Sequence, residues 1–263
     1  TELYKGSEVI AAERGTIYDR NGIAIAEDAT SYSAYVVLSD SYVQGKTKLY
    51  AEQKDFSQIA EVLHDKVGTS KSKVEKILNT AYDKKVRPYQ VEISAAKDIT
   101  LQQKQAIEKE LKSRKSKGLY FSSHPSRIYP NGQFSSHLIG YADIAVKNNE
   151  ERLVGKLGIE EAYNDVLKGT DGKITYQKDN YQNPLPGTVA EKKAAVDGKD
   201  IYTTLDSRLQ TYLDSLLTEA YKKSKPENMT GVLMNAKTGE ILAAAQQPSF
   251  NPEDKSTLGG KDF

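Results

Sequence analysis

Cysteine is absent from all 263 residues, and so is tryptophan. The first absence excludes disulfide stapling, a thiolate-built zinc site and a thiol nucleophile. Histidine is scarce: His64, His124 and His137 are too scattered for a histidine-built metal site, so no metal or cofactor is expected. No run of about eighteen apolar residues exists, so no segment reads as a membrane-spanning helix. The first ten residues also lack the apolar core of a signal peptide. Charge excess is missing as well: 37 basic residues stand against 36 acidic ones, a net charge of +1. A protein that grips nucleic acid chiefly through phosphates has a much larger basic excess, so no nucleic-acid partner is expected. What is present argues for folded structure: 17 Tyr, 5 Phe and 38% hydrophobic residues, in a length that fits one or two domains.

Charge is unevenly placed. From Lys66 to Lys117 there are 14 basic and 6 acidic residues, leaving 23 basic and 30 acidic elsewhere. This stretch reads either as a solvated helical surface or as a face for an anionic surface such as lipid headgroups or a wall polymer.

Periodicity predicts an α+β chain. Strands are expected over 15–39, with Asp19-Arg20-Asn21-Gly22 as a hairpin turn between Ile17 and Ile23. Helices are expected over 55–67, capped by Asp55 with Gln58 three residues on, over 72–78, and over 100–112, where Thr100 and Gln103 form a capping box and Leu101, Ile107 and Leu111 anchor the helix. Residues 87–94, 119–122 and 138–144 read as extended. Residues 157–167 read as a helix stopped by Gly169, 173–178 as a strand and 180–187 as turns. After 195 come a strand over 199–204, a helix over 206–223 with Leu209, Leu213, Leu216, Leu217 and Ala220 inward, and a hairpin of 230–235 with 240–246. A domain boundary is placed there, dividing 1–195 from 196–263. The final residues give no signal that closes a domain, so the natural chain is expected to continue.

Short patterns of serine acyl-transferases occur by letter. Ser70-x-x-Lys73 and Ser94-x-x-Lys97 match Ser-x-x-Lys, Ser249-Phe250-Asn251 matches Ser-x-Asn, and Lys237-Thr238-Gly239 matches Lys-Thr-Gly. They are rejected. Lys-Thr-Gly precedes Ser-x-Asn, Ser70 reads as a helix N-cap, Ser94 follows a strand, and Lys237–Gly239 fills a hairpin turn. No catalytic residue is therefore assigned. The carboxylates Glu160 and Glu161 are adjacent on a helix and point about 100° apart, so they do not converge on one substrate.

Three longer strings stand out: Arg14-Gly15-Thr16-Ile17-Tyr18-Asp19-Arg20-Asn21-Gly22, Arg127-Ile128-Tyr129-Pro130-Asn131-Gly132, and Gly158-Ile159-Glu160-Glu161-Ala162-Tyr163-Asn164. Read alone, they are two turns and a helix start whose charges need partners. Taken together and in this order, they resemble the N-terminal domain motifs of class B penicillin-binding proteins. Lys199–Asp206 with Leu209-Gln210 resembles the family's entry into its transpeptidase domain. Gly231–Ala243 followed by Pro248–Pro252 resembles that domain's first hairpin. The likeness runs from about Glu13 to Pro252 and looks nearest to the Gram-positive, division-associated branch.

The resemblance implies an elongated pedestal domain of short strands and helices. After it would come the first strand, helix and hairpin of an α/β serine transpeptidase domain, cut before its nucleophile. It implies a role in cross-linking peptidoglycan stem peptides through a serine acyl-enzyme that β-lactams also form, here without the catalytic motifs. It further implies a single-pass anchor upstream, a place on the outer face of the cytoplasmic membrane, and division-machinery membrane proteins as partners. An alternative is a non-catalytic module that docks division or glycan-polymerase partners. The site expected from the likeness comprises Arg14, Gly15, Asp19, Arg20, Asn21, Gly22, Arg127, Pro130, Gly132, Gly158, Glu160 and Tyr163. Within it, Arg14, Arg20 and Arg127 are expected to be met by Asp19 and Glu160 in one ionic cluster.

Overall fold

The computed structural model describes residues 4–178, 189 and 191–258. The chain mixes α and β, as expected, and clusters into two compact units. One is continuous, Thr30–Pro125. The other joins Thr1–Ala29 to Ser126–Phe263. Both divisions fall inside long strands, Ala24–Val37 and Leu119–Ile128.

In the continuous unit, Gln90–Glu92 pairs antiparallel with Tyr35–Val37, Val91 lying opposite Val36. The strand Leu119–Ile128 also pairs with the Ala24–Val37 strand. Helices Phe56–Val67, Lys71–Tyr82 and Leu101–Ser113 pack their apolar stripes into one core with Val36, Leu38 and Ile93. The stripe read from sequence holds: Phe56, Ile59, Ala60 and Leu63 are buried. Each large side chain so buried contributes about 1.5–3 kcal/mol.

Several details differ from expectation. Asp55 does not cap its helix with Gln58; its carboxylate accepts the Glu52 N–H at 2.9 Å and closes a short 3₁₀ turn, Gln53–Asp55. The helix after Ser70 runs on to Tyr82. The strand expected over 87–94 shrinks to three residues, because Pro88 has no N–H for a ladder. Thr100 and Gln103 do form the reciprocal capping box, at 3.1 and 3.0 Å. Leu101, however, points to solvent, while Ile107 and Leu111 are buried.

In the discontinuous unit, Ile17–Tyr18 is flanked by Ala24–Val37 running antiparallel and by Ile201–Tyr202 running parallel. Tyr4–Ile10 pairs with Gly172–Lys178, which pairs with Glu191–Lys193. A second hairpin joins Tyr141–Lys147 to Glu150–Leu157, and a third joins Met229–Met234 to Ile241–Gln247. Ile17, Ile25, Tyr129, Phe134, Ile139, Leu167 and Leu205 form the core.

Three readings need correction here. Of residues 138–144, read as extended, 141–144 are strand but Leu138 and Ile139 end a short helix, Ser136–Ile139; Ser135 enters it in the left-handed region (φ 45°) and Gly140 leaves it (φ 72°). The helix expected over 157–167 is two, Gly158–Ala162 and Asn164–Leu167, broken at Tyr163. The Glu160 carbonyl, which an unbroken helix would offer to the amide four residues on, instead accepts from Arg14 Nη2 at 2.8 Å. On helix Ser207–Ser224, Leu217 is buried and Leu209 and Leu213 partly so, but Leu216 and Ala220 face solvent. The buried inward residue missed there is Gln210, whose amide donates to and accepts from the Ala244 backbone at 2.8 Å each way. The turns expected over 180–187 lie outside the described residues.

These contacts set a testable contrast. Thr100→Ala removes the cap and is expected to cost about 1 kcal/mol. Leu101→Ala, at an exposed position, should change stability by less than about 0.5 kcal/mol. Urea unfolding of the two variants measures both.

Candidate functional site

Every member of the central cluster belongs to the discontinuous unit, and its core is one carboxylate. Glu160 is fully buried at the start of Gly158–Ala162. Its Oε2 accepts from Arg14 Nε at 2.9 Å and Nη2 at 2.7 Å. Its Oε1 accepts from Arg127 Nε at 2.7 Å and from the Tyr129 hydroxyl at 3.2 Å. Both guanidiniums are themselves buried, with side chains 3% and 1% exposed. Such charge-assisted bonds are short and directional, and only arginine presents several donors in a fixed plane.

The remaining donors are also used. Arg14 Nη1 donates to Asn164 Oδ1 at 2.7 Å, and Arg127 Nη2 donates to the Gly15 carbonyl at 2.7 Å. Asp28 completes the ring: Oδ2 accepts the Arg14 backbone N–H at 2.7 Å and Oδ1 accepts from Arg127 Nη1 at 3.2 Å. Burial pushes the Asp28 carboxyl above its ordinary range, against those hydrogen bonds. Burial likewise pushes the Tyr129 hydroxyl up, and the neighbouring Glu160 charge adds to it. That hydroxyl stays a donor to Glu160 while accepting the Ala142 N–H at 2.8 Å.

Two glycines make the approach possible. A Cβ on Gly15 would stand 2.0 Å from the Lys199 carbonyl oxygen. Gly158 adopts φ +63°, and a Cβ there would meet the Leu138 carbonyl oxygen at 2.5 Å. Pro130 and Gly132 form a turn closed by Gly132 N–H donating to the Tyr129 carbonyl at 2.8 Å. This turn fixes where the strand bearing Arg127 ends.

The expected cluster is therefore real for Arg14, Arg127 and Glu160, and different for the rest. Asp19 and Arg20 do not join it. Asp19 is fully buried at a second node. Its Oδ1 accepts the Asn21 and Ile23 N–H groups at 2.8 and 2.9 Å, closing the turn that contains Gly22. Its Oδ2 accepts the Ser207 N–H at 3.1 Å and the Ser207 hydroxyl at 2.7 Å, at the start of helix Ser207–Ser224. Burial alone would raise its pKa, but these hydrogen bonds outweigh it and hold the carboxyl below 3.8. Arg20 and Asn21 are exposed, and the Arg20 guanidinium lies 4.0 Å from Glu240. The Tyr163 side chain is half exposed.

Sequence reasoning missed Asp28, Tyr129, Asn164 and Ser207 as partners. Tyr129 and Asn164 stand inside the strings singled out. Asp28 left only a faint signal, one of two adjacent acids, Glu27 and Asp28, within a strand.

Two of the serine patterns can be placed in the structure. Ser70 Oγ accepts the Lys73 N–H at 3.5 Å as a helix cap. Ser94 lines a groove with Lys73, Lys76 and Lys84. Among the described residues no cluster could hold a metal ion, and no helix is long and apolar enough to cross a membrane.

The Penicillin-binding Protein dimerisation domain family matches residues 9–203 of this chain. The chain belongs to this family. Stage V sporulation protein D of Bacillus subtilis is 33% identical over 247 residues, covering 94% of this chain and 34% of that protein. The probable peptidoglycan D,D-transpeptidase PenA of Neisseria gonorrhoeae is 28% identical, covering 94% and 38%. The crystal structure of penicillin binding protein 2X from Streptococcus thermophilus is 40% identical, with a TM-score of 0.66, covering 98% of this chain and 38% of that one. A Helicobacter pylori penicillin-binding protein, solved as a complex with MreC, shares the fold at a TM-score of 0.62 and 24% identity. The chain thus spans little more than a third of its curated relatives. It corresponds to the N-terminal dimerisation region of class B penicillin-binding proteins.

A pH test isolates the second node. A carboxyl whose folded pKa is depressed stabilises above its unfolded value and loses that contribution as pH falls through the folded value. Asp19→Asn should therefore cost about 1–3 kcal/mol at neutral pH. The gap to the unmodified chain should close as pH drops below 3.8. Chemical denaturation across pH 3–7 reads the difference.

Proposed function

We propose that this chain is the platform of a cell-wall D,D-transpeptidase, residues 1–195 forming a pedestal and 196–263 the first elements of the transpeptidase domain. The whole protein would cross-link peptidoglycan stem peptides through a serine acyl-enzyme and bind β-lactams there. In this reading the twelve site residues are structural, and none is catalytic.

The observation on which it chiefly rests is the buried carboxylate of Glu160. A charge held by two buried arginines from distant segments is an expensive way to build an ordinary surface, and it suits a support that must not yield. The match to the dimerisation domain ends at 203, near the boundary read at 195. Beyond it, Val232 and Met234 on the Met229–Gln247 hairpin are more than half exposed. Such a face fits a sheet that further chain would cover.

Relatives over the same residues are named as peptidoglycan D,D-transpeptidases, which disfavours a free-standing docking module. The reading places the protein at the outer face of the cytoplasmic membrane, anchored by a single span outside this chain. Division-machinery membrane proteins would be its partners. A neighbour of like fold solved in complex with MreC supports a protein partner.

Labelling with a fluorescent penicillin tests the reading. The 263-residue chain should stay unlabelled. The natural chain carried past Phe263 to include a Ser-x-x-Lys should label, and should lose the label when that serine becomes alanine. Labelling of the present chain would overturn the proposal.

A further inference from the structure

The continuous unit holds a surface that the platform reading does not use. Strand Gln90–Glu92 is the last in its sheet order, so among the described residues one edge has no strand beside it. The Leu38 N–H donates to the Tyr89 carbonyl and the Ile93 N–H to the Ala34 carbonyl, both toward the sheet. By antiparallel alternation, Gln90 and Glu92 turn their N–H and C=O groups outward. Unpaired groups of this kind are a ready template for an added strand.

Beside this edge runs a groove of about 430 Å³ between the strand and helix Lys71–Tyr82. Its floor is apolar, with Ile77, Ala81 and Val91, and its far bank is Lys73, Lys76 and Lys84. All three lysines are exposed, and among the described residues none is in an ion pair. Glu75, Asp83 and Glu92 are the acids nearest in sequence; none of them lines the groove, and Glu92 points to the opposite sheet face from Val91 by strand alternation. The local balance stays basic, within the stretch that holds 14 basic and 6 acidic residues.

We propose that an extended acidic segment of a partner protein docks here as an added strand on Gln90–Glu92. On the groove-facing side of that strand, apolar side chains would cover Ile77, Ala81 and Val91 and carboxylates would reach Lys73, Lys76 and Lys84. Main-chain bonds would supply affinity, and the groove and the lysines would supply specificity. A second copy of this chain fits poorly, because edge-to-edge pairing would bring two lysine banks together. The inference does not depend on the transpeptidase reading, since it uses only residues of the continuous unit.

The probe is a fluorescein-labelled peptide of the repeat Val-Thr-Glu-Thr, which puts valine and glutamate on one face of a strand, compared by anisotropy with its lysine-for-glutamate counterpart on the 263-residue chain. The acidic peptide should bind and weaken with salt, while the basic one should not bind. Glu92→Pro removes an outward N–H yet spares the pairing to the sheet, and should weaken binding about tenfold or more. Should that variant melt early, K73E/K76E/K84E, at exposed positions, carries the test and should abolish binding. The proposal is overturned by equal binding of both peptides, by no binding of the acidic one, or by full binding to a folded Glu92→Pro chain. It is also overturned if the edge drives self-association instead, or if vesicles of anionic lipid displace the peptide.

Discussion

One buried carboxylate organises the discontinuous unit. Glu160 has no access to solvent and is satisfied only because Arg14, Arg127 and Tyr129 converge on it. An uncompensated ion in that position would cost several kcal/mol, so each group is held in place by the need of the others. Arg14, Arg127 and Tyr129 lie 146, 33 and 31 residues from Glu160 in sequence. Folding therefore has to bring the segment at Arg14, the end of the strand at Arg127 and the Gly158–Ala162 helix to one point.

The consequences spread outward from that point. Because Arg14 takes the Glu160 carbonyl, the helix breaks at Tyr163, and Asn164 is free to bridge Arg14 and the Gly155 N–H. Because Arg127 takes the Gly15 carbonyl, the Gly15 segment is fixed where it also donates to the Leu167 carbonyl. A few residues on, Asp19 ties the Asn21–Gly22 turn to the N-terminus of helix Ser207–Ser224. A second buried acid thus joins this turn to helix Ser207–Ser224 within the same unit.

Much of this was legible in the sequence, and the limits are physical. Most local signals held: the Thr100–Gln103 box, the Asn21-Gly22 turn and the apolar stripe of Phe56–Val67 all depend on neighbours a few residues away, whereas the Asp55–Gln58 cap does not form. Sequence also showed that Arg14, Arg127 and Glu160 needed partners. It could not show direction. Asp19 and Arg20 share a string with Arg14, but the tight turn sends Asp19 to Ser207 and Arg20 to solvent. Strands Tyr4–Ile10 and Glu150–Leu157 were missed because their pattern is polar and their pairing supplies the order. Leu101 and Leu216 fell at apolar spacings but outside the packed arc, since spacing gives a stripe and not its width.

A double-mutant cycle between Arg127→Met and Glu160→Gln, read by urea unfolding of the 263-residue chain, tests the central claim most directly. If Glu160 is the shared partner, Glu160→Gln alone strands two buried guanidiniums and should cost about 3–5 kcal/mol. Adding Arg127→Met should then cost much less than it does in the unmodified chain, a coupling above about 1 kcal/mol. Small, additive losses would contradict the account.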